Sequence, residues 1–123
     1  MARILLAEDE APLRAMLVRA FEHEHSVVAA ADGAEALDAL TAANGAFDLL
    51  LTDIRMPLMD GIALALAAAR DYPKLVILMM TGFADKRERA HGLDALIHDV
   101  ITKPFSLTQI RAVVNEALTE RRH

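Results

Sequence analysis

Acidic side chains follow two separate apolar runs of this sequence. Glu8, Asp9 and Glu10 come directly after the apolar run at residues 4–7. Asp53 comes directly after a second run, LLLT, at residues 49–52. If these two run ends lie side by side, at least three carboxylates crowd one small pocket, and a cation is needed to relieve their repulsion. Oxygen ligands without histidine or cysteine favour a hard cation, with Mg²⁺ as the first choice.

Two further apolar runs end in groups that complement these carboxylates. Thr81 and Gly82 close one run with a hydroxyl beside a flexible residue, and Lys103 and Pro104 close another. A carboxylate, a divalent cation, a hydroxyl and an ammonium group together suit transfer of a phosphoryl group to Asp53, since the positive charges neutralise the phosphoryl oxygens. Thr81 would then bond a phosphoryl oxygen. The product, an acyl phosphate, is labile and suits a reversible signal.

Each of these residues also has a purely structural interpretation. Glu8 and Asp9 can cap the following helix, and Asp53 can cap a turn. Lys103 can be an ordinary surface lysine. Against this, Pro104 constrains the chain where Lys103 has to point. For the carboxylates, their expected meeting at one edge of a sheet favours a site.

The elements that position these residues alternate in period along the chain. Continuous apolar runs predict strands buried on both faces, and the intervals between them predict helices, of which 84–95 is the least regular. Pro12 lies near the start of the first helix, and Ser106 is the expected N-cap of the last. This alternation predicts an α/β fold, a doubly wound flavodoxin-like (βα)5 sandwich with a parallel sheet in the order 2-1-3-4-5, whose ligand site lies at the carboxyl ends of strands 1 and 3. The predicted strands cover residues 4–7, 27–31, 49–52, 75–81 and 100–102, and the predicted helices cover residues 13–21, 33–43, 61–70, 84–95 and 107–118.

Length and composition exclude several classes of protein. The 123 residues are expected to form one domain, 1–123, with no output domain. The absence of cysteine excludes a disulfide scaffold, a thiolate zinc site and a cysteine nucleophile. The net charge of −5 argues against nucleic-acid binding, and no apolar stretch reaches membrane-spanning length. We therefore expect a cytoplasmic protein that is not inserted in a membrane.

Taken together and in order, these residues resemble the receiver domain of two-component response regulators. The motifs that carry the resemblance are Glu8-Asp9, Asp53, Met56-Pro57, Asp60-Gly61, Thr81-Gly82 and Lys103-Pro104-Phe105. The resemblance implies a signalling domain that is not an enzyme beyond its own phosphorylation and dephosphorylation. Its phosphate would come from a histidine kinase or a histidine phosphotransferase, and its output would be binding to a protein effector.

The resemblance also implies a role for each site residue. Asp53 would be the phosphoacceptor, and Thr81 and Lys103 would contact the phosphoryl group. Mg²⁺ would be bound by Asp9, Asp53 and the backbone carbonyl of Arg55. Glu8 would act on the ion through water. The peptide bond between Lys103 and Pro104 would be cis.

Two further expectations concern the course of the loop after Asp53 and the aromatic residue that switches conformation in many receivers. Pro57 and Gly61 are expected to turn the chain away from Asp53, so that the Arg55 carbonyl points inward. Receivers often carry an aromatic residue where this chain has Val100. Phe83 is hypothesised to shield the pocket or to take over part of the aromatic switch, and the alternative is a loop aromatic that packs on the adjacent helix.

A narrower resemblance is to the stand-alone CpdR-type receivers of alphaproteobacteria. It implies phosphate supply from a histidine phosphotransfer relay, an adaptor role at the ClpXP protease through its ClpX component, activity in the unphosphorylated state, a link to the cell cycle and localisation at a cell pole. Three alternatives remain. An aspartate phosphatase requires an acid where this chain has Arg55, and a flavin or nucleotide binder requires a Gly-, Ser- or Thr-rich first loop. A receiver-shaped scaffold that is never phosphorylated remains open.

Overall fold

A computed structural model of the chain describes residues 1–82 and 95–121. Five strands form a single parallel sheet in the order β2-β1-β3-β4-β5. The predicted doubly wound α/β fold and its strand order are thus confirmed. The strands are β1 (Arg3–Ala7), β2 (Ser26–Ala30), β3 (Leu49–Asp53), β4 (Val76–Thr81) and β5 (Asp99–Thr102).

Four helices occur in the described part of the chain. They are α1 (Ala11–Glu22), α2 (Gly33–Ala42), α3 (Gly61–Asp71) and α4 (Leu107–Arg121). The helix predicted over 84–95 falls almost entirely on residues 83–94, which lie outside the described residues, and so does Phe83. No helix among the described residues is long and apolar enough to cross a membrane.

The last helix begins as its sequence predicts. The backbone N–H of Gln109 donates to Ser106 Oγ over 3.0 Å, and the backbone N–H of Ser106 donates to Gln109 Oε1 over 2.8 Å. This reciprocal pair is a capping box, which satisfies two backbone donors at the start of a helix. It fixes the start of α4 shortly after Lys103.

The sheet separates the core into two layers. Alternate residues of one strand face opposite sides, so Leu5 packs with the α2 and α3 residues and Leu6 packs with the α1 and α4 residues. Every residue of β3 and β4 is buried. The edge strands β2 and β5 are less buried than the prediction of burial on both faces, and Val28 of β2 is 37% exposed.

This topology brings the chemically interesting strand ends together. β1 and β3 are parallel neighbours, and Ala7 lies opposite Thr52. The next residues along each strand, Glu8 and Asp53, are therefore adjacent at the carboxyl edge of the sheet. The ends of β4 and β5 lie beside them, with Thr81 opposite Thr102.

Candidate functional site

Three carboxylates converge at the carboxyl edge of the sheet, as predicted. Glu8, Asp9 and Asp53 each place one carboxylate oxygen within 4.8 Å of the others. Glu8 and Asp53 are buried, whereas Asp9 is exposed. Within residues 1–82 and 95–121, this is the one group of three or more acidic, histidine or cysteine side chains with the spacing of metal ligands.

Lys103 points into the carboxylate cluster. Its Nζ lies 2.8 Å from Asp53 Oδ2 and 3.2 Å from Glu8 Oε1. The backbone is fixed as well, because the Lys103 N–H donates to the Thr81 carbonyl over 2.7 Å. The bond between Lys103 and Pro104 is cis, as predicted. The alternative of an ordinary surface lysine is therefore wrong.

Burial and charge shape the protonation of this cluster. Burial raises the pKa of Glu8 to about 7, and the charge of Asp53 adds to the rise, while the Glu10 N–H and Lys103 oppose it. Burial lowers the pKa of Lys103, but the hydrogen bond and charge of Asp53, with the charge of Glu8, outweigh burial and leave this pKa raised. Lys103 is thus held as an ammonium group against Asp53.

The polar atoms of Glu8 are all engaged by the protein. Its N–H donates to Ala30 O over 3.0 Å, and its carbonyl accepts from Arg14 Nη1 over 2.9 Å. Its Oε2 accepts the Glu10 N–H over 3.0 Å, and its Oε1 faces Lys103. Since each carboxylate oxygen already has a partner, Glu8 is better placed for an indirect role at a cation than for direct coordination.

Asp9 has the opposite environment. No described residue hydrogen-bonds its carboxylate, which borders an open cavity of about 410 Å³. The other lining residues come from the loop after β3 and are Ile54, Arg55, Met56 and Asp60. Helix α1 has Glu10 as its N-cap and no side-chain cap bond. Asp9 therefore does not cap α1, whereas Glu8 Oε2 does satisfy one backbone donor at the start of this helix, the N–H of its N-cap residue Glu10.

The loop after β3 is tied closely to Asp53. Asp53 Oδ1 accepts the Ile54 N–H over 2.8 Å, so the carboxylate does hold a turn as well as facing Lys103. The Ile54 carbonyl accepts the Gly61 N–H over 2.7 Å, and Asp60 Oδ1 caps α3 by accepting the Ala63 N–H over 2.8 Å. A Cβ atom on Gly61 would lie 1.9 Å from the carbonyl oxygen of Asp53. Only glycine permits this approach of α3 to the end of β3.

Replacement of Gly61 by alanine is therefore expected to destabilise the protein and displace Asp53. The added methyl meets backbone, which cannot rotate away, so we expect a loss of about 1–3 kcal/mol in the free energy of unfolding. At a position without such a clash, the same change would stabilise by about 0.4–1 kcal/mol. Urea denaturation measures the sign, and Ala63→Gly on the exposed face of α3 is the control for helix propensity. An increase in stability for Gly61→Ala would contradict the close packing.

The middle of this loop has a conformation that the sequence did not predict. Leu58 has φ of 66° and the Met59 N–H donates to Pro57 O over 2.7 Å, which together form a γ-turn with a left-handed leucine. The Met59 carbonyl accepts the Gly33 N–H over 3.1 Å, and a Cβ atom on Gly33 would lie 2.1 Å from that oxygen. The start of α2 thereby packs against the loop after β3, whose residues line the cavity beside Asp9.

Two of the remaining predicted residues, Thr81 and Val100, lie on β4 and β5. Thr81 is buried, and its Oγ1 donates to the Gly82 carbonyl over 3.0 Å. Val100 lies on β5 opposite Met79 and is half-buried against the core layer of α2 and α3.

Thr52 was not predicted, yet its Oγ1 is buried and donates to the Asp53 carbonyl over 2.9 Å. Its position next to Asp53 in the sequence was the one available signal.

Known proteins share this sequence pattern. The family model for the response regulator receiver domain matches residues 4–115. Response regulator receiver protein CpdR of Brucella abortus is 43% identical over 117 residues, which cover 94% of this chain and 93% of that protein. Transcriptional regulatory protein TcrA of Mycobacterium tuberculosis is 35% identical over 111 residues, or 89% of this chain, but the match spans only 43% of that protein's length.

Solved structures share the fold. The receiver domain protein (CheY-like) of Methanospirillum hungatei JF-1 superposes with a TM-score of 0.90 at 28% sequence identity, covering 99% of this chain and 97% of that chain. The family match spans most of the chain, and the acidic cluster lies at the switch point of the sheet. This chain belongs to the response regulator receiver domain family, whose members act in phosphorylation-based signalling.

Proposed function

We propose that this receiver accepts a phosphoryl group on Asp53 in an Mg²⁺-dependent reaction and signals by binding a protein effector. The observation that carries the proposal is the 2.8 Å contact between Lys103 Nζ and Asp53 Oδ2 at the tip of a fully buried strand. An ammonium group held against a nearly buried carboxylate supplies charge where a phosphoryl group would arrive.

The residues present suit a magnesium ion. Hard cations bind oxygen ligands, and the cluster offers three carboxylates beside an open cavity. Asp9, Asp53 and the Arg55 carbonyl would hold the ion, with Glu8 acting through water. Bound Mg²⁺ would neutralise negative charge on the phosphoryl oxygens.

The chain's own groups account for the transfer step. A carboxylate oxygen of Asp53 attacks phosphorus, and the P–N bond of a phosphohistidine, or the P–O bond of acetyl phosphate, breaks with its electron pair on the leaving group. Lys103 then shares its protons with a phosphoryl oxygen, and Thr81 redirects its hydroxyl from the Gly82 carbonyl to the phosphoryl group. Arg55, two residues after Asp53, cannot act as a general acid because a guanidinium group does not release its proton at neutral pH, which argues against an aspartate phosphatase.

The proposed partners follow from the family and from the narrower resemblance. A histidine kinase or a histidine phosphotransferase would donate phosphate in the cytoplasm. Binding of the ClpX protease component, as an adaptor in the cell cycle, rests on the resemblance to CpdR-type receivers. The 43% identity over nearly the full length of the Brucella protein supports that resemblance.

Intact mass after incubation with acetyl phosphate and Mg²⁺ tests the proposal. We expect a gain of one phosphoryl group that is lost in Asp53→Asn and in EDTA. Asp38→Asn, an exposed change on α2, is the matched control and should be phosphorylated like the wild type. Phosphorylation of Asp53→Asn at the wild-type level would contradict the assignment of the acceptor. Absence of both mass gain and Mg²⁺ binding would favour the receiver-shaped scaffold.

A further inference from the structure

We propose that Arg14 is a positioning residue for the divalent-cation site and acts on Asp9 through the backbone of the β1–α1 loop. The inference rests on the proposed function, because it concerns the cation that the carboxylate cluster would bind. Arg14 lies in the first turns of α1 and is half-buried. It does not touch the three carboxylates by any hydrogen bond within the described residues.

The contacts of Arg14 are with the carbonyl groups of the acidic loop. Its Nη1 lies 2.9 Å from the carbonyl oxygen of Glu8 and 3.4 Å from that of Asp9. Its own N–H donates to the Glu10 carbonyl over 2.9 Å, as the first helical bond of α1. One guanidinium nitrogen thus holds the Glu8 carbonyl with the strength of a charged donor and makes a longer, weaker contact with the Asp9 carbonyl.

The position of Asp9 depends on the contacts of Arg14 more than the position of Glu8 does. Glu8 is held independently, through Ala30 on β2 and through Lys103. The Asp9 carboxylate has no hydrogen-bond partner in the described part of the chain, so among these residues only its own backbone positions it. That backbone carries three consecutive acidic side chains, whose mutual repulsion favours rearrangement of the loop unless the peptide groups are fixed.

Arg14 and Lys103 place their positive charges against different groups of the site. Lys103 contacts carboxylate oxygens, and a cation entering the cluster has to share those oxygens with it. Arg14 contacts carbonyl oxygens, so it orders the loop without occupying the carboxylate ligands. Groups that orient metal ligands in this way typically alter metal affinity by about 10–100-fold when they are removed.

Calorimetric titration of the unphosphorylated full chain with MgCl₂ tests the inference. We expect Arg14→Ala to raise the Mg²⁺ dissociation constant about 10-fold or more. The Mg²⁺ concentration for half-maximal phosphorylation should rise in parallel. Arg14→Lys, which keeps a charged donor, should restore most of the affinity. Arg19→Ala, an exposed arginine in the last turn of α1, is the matched control and should bind like the wild type.

The outcomes separate this inference from the proposed function. An unchanged dissociation constant in a folded Arg14→Ala protein would overturn the role of Arg14 and leave the cation site intact. Failure of the wild type to bind Mg²⁺ would overturn both. Thermal unfolding in EDTA monitors the purely structural effect. If Arg14→Ala does not fold, Arg14→Gln, which keeps the start of the side chain and an NH₂ donor but is shorter and uncharged, decides the question, and an unchanged dissociation constant there also overturns the inference.

Discussion

Phosphorylation by acetyl phosphate is expected to slow about 100-fold or more when Lys103 is replaced by methionine. Lys103 Nζ is the cationic group that contacts Asp53 and Glu8 among the described residues. Methionine keeps the length of the side chain and removes the charge, so the phosphoryl group loses a donor while the pocket keeps its volume. The measurement is the initial rate of mass gain at saturating Mg²⁺.

The exposed Lys74→Met provides the matched control, because it removes one lysine charge away from the pocket. It should leave the rate within about twofold of the wild type, since surface charges at a distance are screened. A Lys103→Met rate equal to that of the control would show that Lys103 only neutralises the carboxylates and takes no part in the transfer. Circular dichroism confirms that the comparison is between folded proteins.

The buried carboxyl group of Glu8 is expected to make the stability of the protein depend on pH. In EDTA, the contribution of Glu8 to the free energy of unfolding should fall by about 3 kcal/mol between pH 4.5 and pH 8. The pKa of Glu8 is raised from 4.5 to about 7 in the folded chain, so the folded chain holds this proton more tightly than the unfolded chain. The contribution is therefore complete below pH 4.5 and is lost as the pH rises through 7.

Glu8→Gln isolates this contribution from those of other titrating groups. The difference in unfolding free energy between variant and wild type should shift in favour of glutamine by about 3 kcal/mol as the pH is raised from 4.5 to 8. Glu116→Gln, exposed on α4, is the matched control for the loss of one carboxylate. Urea denaturation at several pH values measures the shift. A difference for Glu8→Gln that is independent of pH would contradict the buried, raised-pKa environment.

The fold and much of the pocket could be predicted because their signals are local. Continuous apolar runs identified the five strands, and the carboxyl ends of parallel strands must meet at one edge. The sequence alone therefore predicted that Glu8, Asp53 and Lys103 lie together. Ser106 could be placed because a capping residue acts within its own turn. The meeting of Glu8, Asp53 and Lys103 is confirmed, but the roles of the site residues stay predictions. These are the roles of Asp53, Thr81 and Lys103 in phosphoryl transfer, of Glu8, Asp9 and Arg55 at the cation, and of Val100 and Phe83 in a switch.

Other features depend on contacts that local patterns do not carry. Arg14 has no distinctive signal, because an arginine on an amphipathic helix is usually a solvated residue. Gly33 could be placed at the start of a helix, but its contact with Met59 joins residues far apart in the chain. The left-handed conformation of Leu58 was not predictable, since leucine rarely adopts it and the loop imposes it.

The central position of β3 has a consequence for when and where the protein opens. β3 is bonded to β1 on one side and β4 on the other, and all of its residues are buried. Its amide hydrogens should therefore exchange with solvent only through global unfolding, whereas the loop at Asp9 and Leu58 should exchange through local opening. The carboxylate that would carry the signal is thus attached to the segment that opens last. A rapid response to modification of this carboxylate is therefore expected in the loops that carry Asp9 and Leu58, which can open locally, and not in opening of β3.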